Sequence, residues 1–511
     1  MMNEHRIVVE VFPDKTRGTI NPNIFGLHLE HIWNCVYPCV WVGPDSDVPN
    51  TSGIRNDTTR LLAALRPTVC KYPGGYFSDF YDWRDGVGPR EKRPVRVCPT
   101  QPGCEERNEF GTAEFMAFCR MIGAEPYLAA NTTSIEPNVA AHWVEYCNLN
   151  GNTEWARKRR EHGFPEPFNV RYWAIGNEPY WLHSVEEYAQ IWQRWSQWMY
   201  NTDPAITLVL GGLEPDWPAC EPWNTDGLWM ERMLKTTRAG HGMFSHDWNV
   251  PPSRRELQLS LHPYFDAKPE CAEGEYYAAF AELSRRLPAL IGRSIELMDA
   301  SRGKCPRPGL CFDEYGLLHS GHFSMSGNMT QPALFWSALW LGCFFHICFE
   351  HPDDVAMAAL PGTVNMEHAL LLLDEGRMVT TPSYHLFKLF RDHGGAQALV
   401  TEVRGAPTHE GAGLPLVWAS ASRPAGKGAM TLSIINLDLE RRAQVEIVLN
   451  GASAASARAQ ELSAGDIHAR NSASAPSQVT PREAPVSVRE GRLACTLAPH
   501  SITVLAVEVE A

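Results

Sequence analysis

Short apolar runs alternate with longer amphipathic segments along the first three quarters of the chain. Eight of these runs have the length of a buried strand and lie at residues 24–30, 68–72, 126–131, 172–177, 207–211, 257–262, 309–314 and 355–360. The segments between them carry aromatic and aliphatic residues at the three- and four-residue spacing of a helix, for example at 112–122, 185–200 and 276–290. Eight strands that alternate with helices predict an α/β fold, namely a closed (β/α)8 TIM barrel.

The pattern changes after about residue 395 to short strand-like runs separated by turn residues. These runs predict a C-terminal antiparallel β-sandwich of jelly-roll type and lie at 416–419, 430–434, 445–449 and 497–509. The β-branched run at 7–11 predicts one more strand of this sandwich, and the Ser-, Ala- and Pro-rich stretch 472–485 predicts an exposed loop. We therefore divide the chain into an N-terminal strand segment (1–18), a barrel (19–390) and a β-sandwich domain (391–511).

Charge and hydropathy argue against two classes of partner. The 511 residues include 59 acidic and 45 Lys or Arg side chains, and the formal net charge of −14 repels a phosphate backbone. The longest apolar run, 333–349, is marginal in length for a bilayer and contains His346. We predict that the protein binds neither nucleic acid nor membrane, and that this run is a buried barrel helix leading into a strand.

The cysteines and the N-terminal sequence bear on the cellular compartment. Many of the fourteen cysteines lie in apolar segments and no Cys-x-x-Cys pair occurs, which favours buried thiols over disulfides. The first ten residues contain no basic stretch followed by an apolar core. Together these features predict a reduced, cytoplasmic protein, and a mature secreted form that has lost its leader is the alternative.

Two of the predicted strands end on a glutamate. The run Tyr-Trp-Ala-Ile-Gly-Asn-Glu ends at Glu178, and the run Leu-Cys-Phe-Asp-Glu ends at Glu314. Because TIM barrels carry out catalysis at the carboxyl ends of their strands, both side chains are expected at one rim. Glycoside hydrolysis requires such a pair, since one carboxyl group protonates the leaving oxygen while the other attacks the anomeric carbon or activates water. Either glutamate alone is equally well explained as an exposed strand-end residue.

Further polar and aromatic residues follow the predicted strands. His262 and Tyr264 follow the sixth strand, and a phenol that donates to Glu314 would keep that carboxylate ionised and oriented. His262 is a candidate contact for the substrate, and packing in the core is the alternative for both residues. Sugar hydroxyls and sugar faces have further candidate partners in Glu30, Tyr76, Asn131, Asn177 and Trp181.

The end of the first strand holds a candidate metal site. His28, Glu30 and His31 are all suitable ligands, but their spacing lacks the His-Glu-x-x-His arrangement that fixes zinc on a helix. We therefore predict no metal and no other cofactor.

The motifs together resemble those of glycoside hydrolase family 51, most members of which are α-L-arabinofuranosidases. The resemblance spans nearly the whole chain and rests on residues 25–31, 41–43, 53–57, 72–75, 85–94, 110–112, 144–148, 176–178 and 312–314. The run Asp-Gly-Val-Gly-Pro-Arg-Glu-Lys-Arg-Pro at 85–94 is far more specific than Asn-Glu alone. The resemblance implies a (β/α)8 barrel with a β-sandwich, retention of configuration, no metal and a homo-oligomer.

Carried over residue by residue, the resemblance implies a role for five side chains. Glu178 would be the acid/base and Glu314 the nucleophile. Glu30 and Asn177 would bind the sugar, and Tyr264 would be the partner of the nucleophile.

The chain departs from the family pattern at three places around the expected sugar. Tyr76 follows the Pro-Gly-Gly turn, where Asn or Cys is common in the family, and it could fill part of the furanose subsite. The segment 179–183 is shorter than usual. Residues 361–363, Pro-Gly-Thr, stand where family members often carry a sugar-binding Gln. These differences affect the substrate and not the catalytic pair.

The leading hypothesis is a retaining exo-hydrolase that releases terminal non-reducing α-L-arabinofuranosyl residues from arabinose-containing oligosaccharides inside the cell. One alternative is a hydrolase of another furanoside or of β-linked glucan or xylan fragments. An alternative of another class is a barrel that binds sugar without catalysis, because a fold does not determine a function. A third is a metal-dependent hydrolase built on His28, Glu30 and His31.

Overall fold

Eight parallel strands close into a barrel, and a ten-stranded sheet built from both ends of the chain packs against its helices. The computed structural model describes residues 7–215, 217, 227–241, 257–267, 271–301, 306–318, 333–366, 368–426 and 428–510. Residues 1–6 of the predicted N-terminal segment lie outside the described residues. The first described strand, β1 (Ile7–Thr19), belongs to the ten-stranded sheet.

The barrel strands alternate with helices, as the sequence predicts. They are β2 (Gly26–His28), β3 (Val69–Tyr72), β4 (Glu125–Ala130), β5 (Tyr172–Ile175), β6 (Thr207–Gly211), β7 (Leu257–Ser260), β8 (Gly309–Phe312) and β9 (Val355–Leu360). Each strand pairs in parallel with the next, and β9 pairs with β2 to close the barrel. Side chains from six of the strands, including Tyr127, Ala174 and Met357, form one buried cluster, so both faces of these apolar strands are buried. The predicted (β/α)8 barrel is confirmed.

The described helices are α1 (Asn56–Ala63), α2 (Thr112–Ile122), α3 (Pro137–Asn148), α4 (Glu154–Glu161), α5 (Val185–Thr202), α6 (Trp229–His241), α7 (Glu273–Ser301), α8 (Phe335–Glu350) and α9 (Pro382–Phe390). Short 3-10 helices lie at Pro22–Phe25, Tyr76–Phe80, Trp83–Gly86, Arg90–Lys92, Pro179–Trp181 and Arg391–His393. Local signals mark some helix ends. Ser184 caps α5 by accepting from the Glu187 amide, and Gly123 ends α2 in the left-handed conformation.

The most apolar stretch of the chain forms α8, as predicted. All of its residues except the last are buried, because barrel strands lie on one side and the C-terminal sheet on the other. A Cβ atom on Gly342 would come within 2.8 Å of Ile435, so this glycine lets the sheet approach the helix closely. Among the described residues, no helix is both long and apolar enough to cross a membrane.

The C-terminal part forms a largely antiparallel sheet. Its strands are β10 (Gln397–Arg404), β11 (Val417–Arg423), β12 (Ala429–Asn436), β13 (Ala443–Leu449), β14 (Ala454–Leu462), β15 (Arg482–Ala484), β16 (Val486–Arg489), β17 (Arg492–Leu497) and β18 (Ser501–Val509). They form one ladder in the order β15-β14-β18-β12-β11-β10-β1-β13-β17-β16, in which only β1 and β13 pair in parallel. Val9, Leu432, Leu493 and Leu505 share one core, so the sheet curves back on itself. The two layers expected of a sandwich are therefore halves of a single sheet.

The stretch 472–485 is anchored to the rest of the fold. Val479 is fully buried, and its backbone amide donates to the side chain of Asn471 at 2.8 Å. Arg482–Ala484 then pairs with β14. The stretch is therefore mostly exposed, as predicted, but it is anchored at Val479 and ends in a short strand.

Among the described residues, five two-stranded ladders lie in the connections between the larger elements. They pair Asn50–Thr51 with Ile54–Arg55, Arg96–Val97 with Glu105–Glu106, Tyr264–Asp266 with Gly316–Leu318, Leu371–Asp374 with Arg377–Thr380, and Thr408–His409 with Leu414–Pro415. The third pair matters for the site, since it joins the segments that follow β7 and β8.

Candidate active site

Glu178 and Glu314 meet at the carboxyl rim of the barrel. Glu178 lies three residues beyond the end of β5, and Glu314 lies two residues beyond the end of β8. One carboxylate oxygen from each, together with a ring nitrogen of His262, all lie within 4.8 Å of one another. The structure therefore brings together the two carboxyl groups that the strand ends predict.

Two donors hold Glu314 from opposite sides. The Tyr264 hydroxyl donates to Oε2 at 2.9 Å, and the ammonium of Lys71 lies 3.5 Å from Oε1. Tyr264 is in place because its short strand pairs in parallel with the strand that begins at Gly316. Together they fix the orientation of the carboxylate.

Glu178 accepts hydrogen bonds from two neighbours. The Tyr180 hydroxyl donates at 2.7 Å, and Nδ1 of His262 lies 2.8 Å from the same carboxylate oxygen. Burial raises the pKa of Glu178, but the hydrogen bond and charge of His262 outweigh it, and the resulting pKa is below the usual value.

His262 lies between the carboxylates of both glutamates. Its Nδ1 is 2.8 Å from Glu178 and 3.5 Å from Glu314, and its Nε2 is 3.3 Å from Asp313. Burial lowers the pKa of His262, but these three carboxylates outweigh that effect and raise the pKa to about 10. The ring is therefore an imidazolium that donates on both sides. Glu178, His262 and Glu314 are close enough to surround a metal ion, and the ring of His262 would have to lose a proton to bind one.

A buried ion pair between Lys71 and Asp313 lies beneath the two glutamates. Nζ of Lys71 is 2.8 Å from Asp313 and 2.7 Å from the side-chain oxygen of Asn177. Tyr127 donates to the same Asp313 oxygen at 2.8 Å. Burial raises the pKa of Asp313, but Lys71 and His262 more than offset this and hold it well below its usual range. The described neighbours thus compensate the buried charge of Lys71.

The side-chain nitrogen of Asn177 is available to donate a hydrogen bond to a ligand in the site. Its oxygen is held by Lys71, and its backbone amide donates to Asp79 at 3.0 Å. Its side-chain nitrogen is buried without a hydrogen-bond partner in the structure. A buried donor of this kind is costly unless a ligand satisfies it, which agrees with the predicted contact to sugar.

Glu30 lies against the Pro-Gly-Gly turn. Its carboxylate accepts from the Phe77 amide at 3.2 Å. A Cβ atom on Gly74 would approach Glu30 to 2.4 Å, and one on Gly75 would approach Glu314 to 2.5 Å. Burial and then the charge of Glu314 raise the pKa of Glu30 to about 8. Glu30 therefore carries a proton at neutral pH and can donate as well as accept a hydrogen bond.

The alternative metal site at the end of β2 is wrong. His31 points away from Glu30: its Nδ1 is 3.0 Å from Glu106, and its Nε2 is 3.1 Å from the Tyr72 hydroxyl. His28 lies behind the nucleophile candidate, 3.9 Å from Glu314. In the part of the chain that the structure describes, these residues do not form a ligand cluster.

Asn131 lies outside the site, which corrects its predicted role in substrate binding. The side chain is 1% exposed and does not line the pocket. Its oxygen accepts from the Thr133 and Ser134 amides at 2.8 and 3.0 Å, and its nitrogen donates to the Ser134 hydroxyl at 2.7 Å. The residue is therefore a turn former at the end of β4.

A pocket of about 470 Å³ opens above the two glutamates. Its lining comprises Glu30, Ile32, Tyr76, Glu178, Tyr180, Trp181, Leu213, Glu214, Trp217, His262, Tyr264, Asp266, Glu314, Pro361 and Met366. Tyr76 and Trp181 are 43% and 47% exposed, which places their rings at the mouth. Seven of the nine predicted site residues thus line one cavity. The two that do not are Asn131 and Asn177.

Comparison with known proteins finds relatives that align with most or nearly all of the chain. The families described as "Alpha-L-arabinofuranosidase 1 domain" and "Alpha-L-arabinofuranosidase C-terminal domain" match residues 61–226 and 313–501. The intracellular exo-alpha-L-arabinofuranosidase of Bacteroides ovatus is 28% identical over 98% of this chain and 95% of its own. The probable alpha-L-arabinofuranosidase C of Aspergillus niger is 30% identical over 74% of this chain and 73% of its own. The GH51 arabinofuranosidase structure from Xanthomonas axonopodis pv. citri aligns with a TM-score of 0.86 at 27% identity, covering 98% of this chain and 100% of that one.

The chain belongs to the α-L-arabinofuranosidases of glycoside hydrolase family 51. It is therefore a glycoside hydrolase, and the predicted family is confirmed. The strand ends alone indicate that Glu178 and Glu314 meet at one rim, and their catalytic roles stay a prediction. The network beneath the pair was missed, namely Lys71, Asp313 and Asp79, although a lysine inside the apolar run 68–72 was a usable signal.

The departures from the family pattern have a structural outcome in this arabinofuranosidase. Gly362 adopts a positive φ of 58°, and a Cβ atom there would lie 2.1 Å from Met366. The glycine therefore makes room for Met366 in the pocket lining. Tyr76 packs against Phe80, with ring centroids 4.9 Å apart, at the pocket mouth.

Proposed function

We propose that the protein is a retaining exo-α-L-arabinofuranosidase with Glu178 as acid/base and Glu314 as nucleophile. The observation that carries the proposal is the separation of the pair, whose nearest oxygens are within 4.8 Å. Retaining enzymes keep their carboxyl groups about 5–5.5 Å apart, whereas inverting enzymes leave about 6.5–9.5 Å for a water molecule.

In the first step Glu314 attacks the anomeric carbon while Glu178 protonates the departing oxygen, and because His262 lowers the pKa of Glu178 this step uses the minor, protonated form of Glu178. The hydrogen bond from Tyr264 fixes the direction of the attacking carboxylate, and Lys71 lies 3.5 Å from its other oxygen. The product is a glycosyl ester on Glu314 and a free alcohol. Asn177 and Glu30 supply hydrogen-bond donors for the sugar hydroxyls.

In the second step Glu178 removes a proton from water, which attacks the glycosyl ester. Esterification has by then removed the negative charge of Glu314, and the neighbouring imidazolium of His262 stabilises Glu178 as a carboxylate. Displacement twice at the same carbon retains the configuration.

The proposed substrates are arabinose-containing oligosaccharides that end in an α-L-arabinofuranosyl group. The names of the relatives from Bacteroides ovatus and Aspergillus niger support this sugar. The relative from Bacteroides ovatus is named an exo-acting enzyme, which supports action on a terminal residue rather than the middle of a chain. Action in the cytoplasm and assembly into a homo-oligomer remain predictions.

A panel of nitrophenyl furanosides and pyranosides, including β-glucoside and β-xyloside, tests the assignment. We expect turnover of the α-L-arabinofuranoside, with α-L-arabinose as the first-formed sugar by NMR. Glu314→Ala should lower kcat at least about 10⁴-fold, whereas Glu440→Ala, at an exposed position, should not. Azide should restore turnover in Glu314→Ala and give the inverted glycosyl azide. Full activity in Glu314→Ala would contradict the mechanism, and a preference for a pyranoside would contradict the substrate.

A further inference from the structure

An arginine of α7 contacts two segments of the active-site rim. Nη1 of Arg286 donates to the backbone carbonyl of Tyr264 at 2.8 Å, and Nη2 lies 2.8 Å from each carboxylate oxygen of Glu214. Tyr264 follows β7 and Glu214 follows β6, so this one side chain joins the ends of two neighbouring barrel strands. Tyr264 and Glu214 line the pocket, whereas Arg286 lies outside the lining.

The segment that Arg286 contacts has little support of its own. Tyr264–Asp266 is a strand of three residues that pairs with Gly316–Leu318 in a two-stranded ladder. Short two-stranded ladders are marginally stable without further packing. The position of the Tyr264 backbone therefore depends on neighbours outside the ladder, and so does the hydroxyl that donates to Glu314 at 2.9 Å.

Phe265 provides a further contact between the same strand and the arginine. The guanidinium carbon of Arg286 lies 4.6 Å from the centroid of the Phe265 ring, and this ring packs against Trp340 of α8 with centroids 5.2 Å apart. Consecutive side chains of a strand point to opposite faces, so Phe265 is buried in the core while Tyr264 lines the pocket. Among the described contacts of Arg286, the one to Tyr264 leads directly to the nucleophile candidate.

The planar guanidinium suits this position better than an ammonium would. It presents five N–H donors in a fixed fork, so one nitrogen binds the Glu214 carboxylate while the other binds the Tyr264 carbonyl and lies 3.4 Å from Glu282. The Glu214 side chain is 7% exposed, which strengthens its charge-assisted hydrogen bonds to Arg286. Glu214 thus fixes the direction in which the guanidinium points.

We propose that Arg286 is a positioning residue, which holds Tyr264 in the place from which its hydroxyl orients the nucleophile. The inference rests on the proposed function, in which Glu314 is that nucleophile. Without the guanidinium the Tyr264 backbone shifts, and a displacement of about 1 Å is enough to slow attack on the anomeric carbon.

A double-mutant cycle tests whether Arg286 acts through the tyrosine hydroxyl. It compares kcat/KM for nitrophenyl α-L-arabinofuranoside in the wild type, Arg286→Met, Tyr264→Phe and the double variant. We expect Arg286→Met to lower kcat/KM about tenfold in the wild type but no more than about twofold in the Tyr264→Phe background, because the hydroxyl that it positions is already absent there. Equal fold losses in the two backgrounds would overturn the inference.

Two further variants separate this role from a general effect on the fold. Arg286→Lys keeps a charge beside Glu214 without the fork, so it should lose about threefold in kcat/KM, again only when the hydroxyl is present. It carries the same test if Arg286→Met does not fold. Arg285→Met, at the exposed neighbouring position of α7, is the matched control and should match the wild type in both backgrounds.

Binding of the product sugar gives a second readout. The inhibition constant of L-arabinose should stay within about twofold of the wild type in Arg286→Met, since the contacts that Glu30 and Asn177 offer the sugar are unchanged. A loss of arabinose affinity as large as the loss of kcat/KM would show a distorted pocket and refute the positioning role. If the folded wild-type enzyme cleaved no furanoside, the proposed function would fall as well, whereas equal losses in the two backgrounds refute the role of Arg286 alone.

Discussion

At the scale of single residues, the site is an array of buried charges that balance one another. Lys71 and the imidazolium of His262 face the carboxylates of Glu178, Asp313 and Glu314. Breaking one buried pair leaves an uncompensated charge, so each member fixes the protonation state of its neighbours. His262 touches both catalytic candidates and is therefore the most informative residue to change.

We predict that His262→Gln moves the basic limb of the kcat/KM pH profile to higher pH by about one unit. The first step requires protonated Glu178, and His262 lowers the pKa of that carboxyl group. Glutamine can still donate a hydrogen bond but carries no charge, so the pKa of Glu178 should rise. His142→Gln, at a half-buried position of α3 outside the pocket lining, serves as the control. A basic limb that stays in place would show that His262 does not set the protonation of Glu178.

The sequence identifies side chains at strand ends but not the contacts between distant strands. Glu178, Glu314 and Tyr264 follow apolar strands, so their convergence at the rim could be predicted. Lys71 and Asp313 meet although β3 and β8 are separated by β2 and β9, because barrel closure brings them together. The sequence around Lys71 and around Asp313 does not indicate this contact. Asn131 also follows a strand, and only the hydrogen bonds of its turn show that it stabilises the loop and does not line the site.

At the scale of elements, the turn after β3 determines how closely the carboxylates of Glu30 and Glu314 can approach each other. The Pro-Gly-Gly sequence at 73–75 passes beside both Glu30 and Glu314. Gly74 has a φ of 153°, a region that side chains rarely adopt. The turn therefore packs directly against the side chains of Glu30 and Glu314, without any hydrogen bond from its own side chains.

We predict that Gly75→Ala lowers kcat/KM about 100-fold while the protein stays folded. Its Cβ atom would lie 2.5 Å from Oε1 of Glu314, so the carboxylate must move, and displacements of about 1 Å can cost this much activity. Gly151→Ala is the matched control, since a Cβ atom there meets no atom within 4 Å. Circular dichroism would confirm folding of both variants. Activity in Gly75→Ala close to the control would mean that the turn does not position Glu314.

At the scale of the whole molecule, α8 and the short 3-10 helix after α9 join the barrel to the C-terminal sheet. Nε2 of His346 lies 2.8 Å from the Ser433 hydroxyl, and Nδ1 of His393 lies 2.8 Å from the Ser422 hydroxyl. Periodicity could predict the eight barrel strands because each is followed by a helix. It could not predict the ladder order of the sheet, in which β1 pairs with β10 and β13 across roughly 380 to 440 residues of chain. Pairing over such a distance depends on tertiary contacts.

We predict that acidification destabilises this joint. Burial lowers the pKa values of His346 and His393 to about 3, from 6.5 when unfolded. Above pH 6.5 both states are neutral, but between pH 6.5 and 3 only the unfolded state takes up protons, so the free energy of unfolding falls. Replacing both residues, as His346→Gln with His393→Asn, should reduce the drop in Tm between pH 7.5 and 5.0 by roughly 4 °C. His468→Gln, on the surface, should leave the drop unchanged. Equal drops in the wild type and the double variant would show that these histidines do not govern stability in acid.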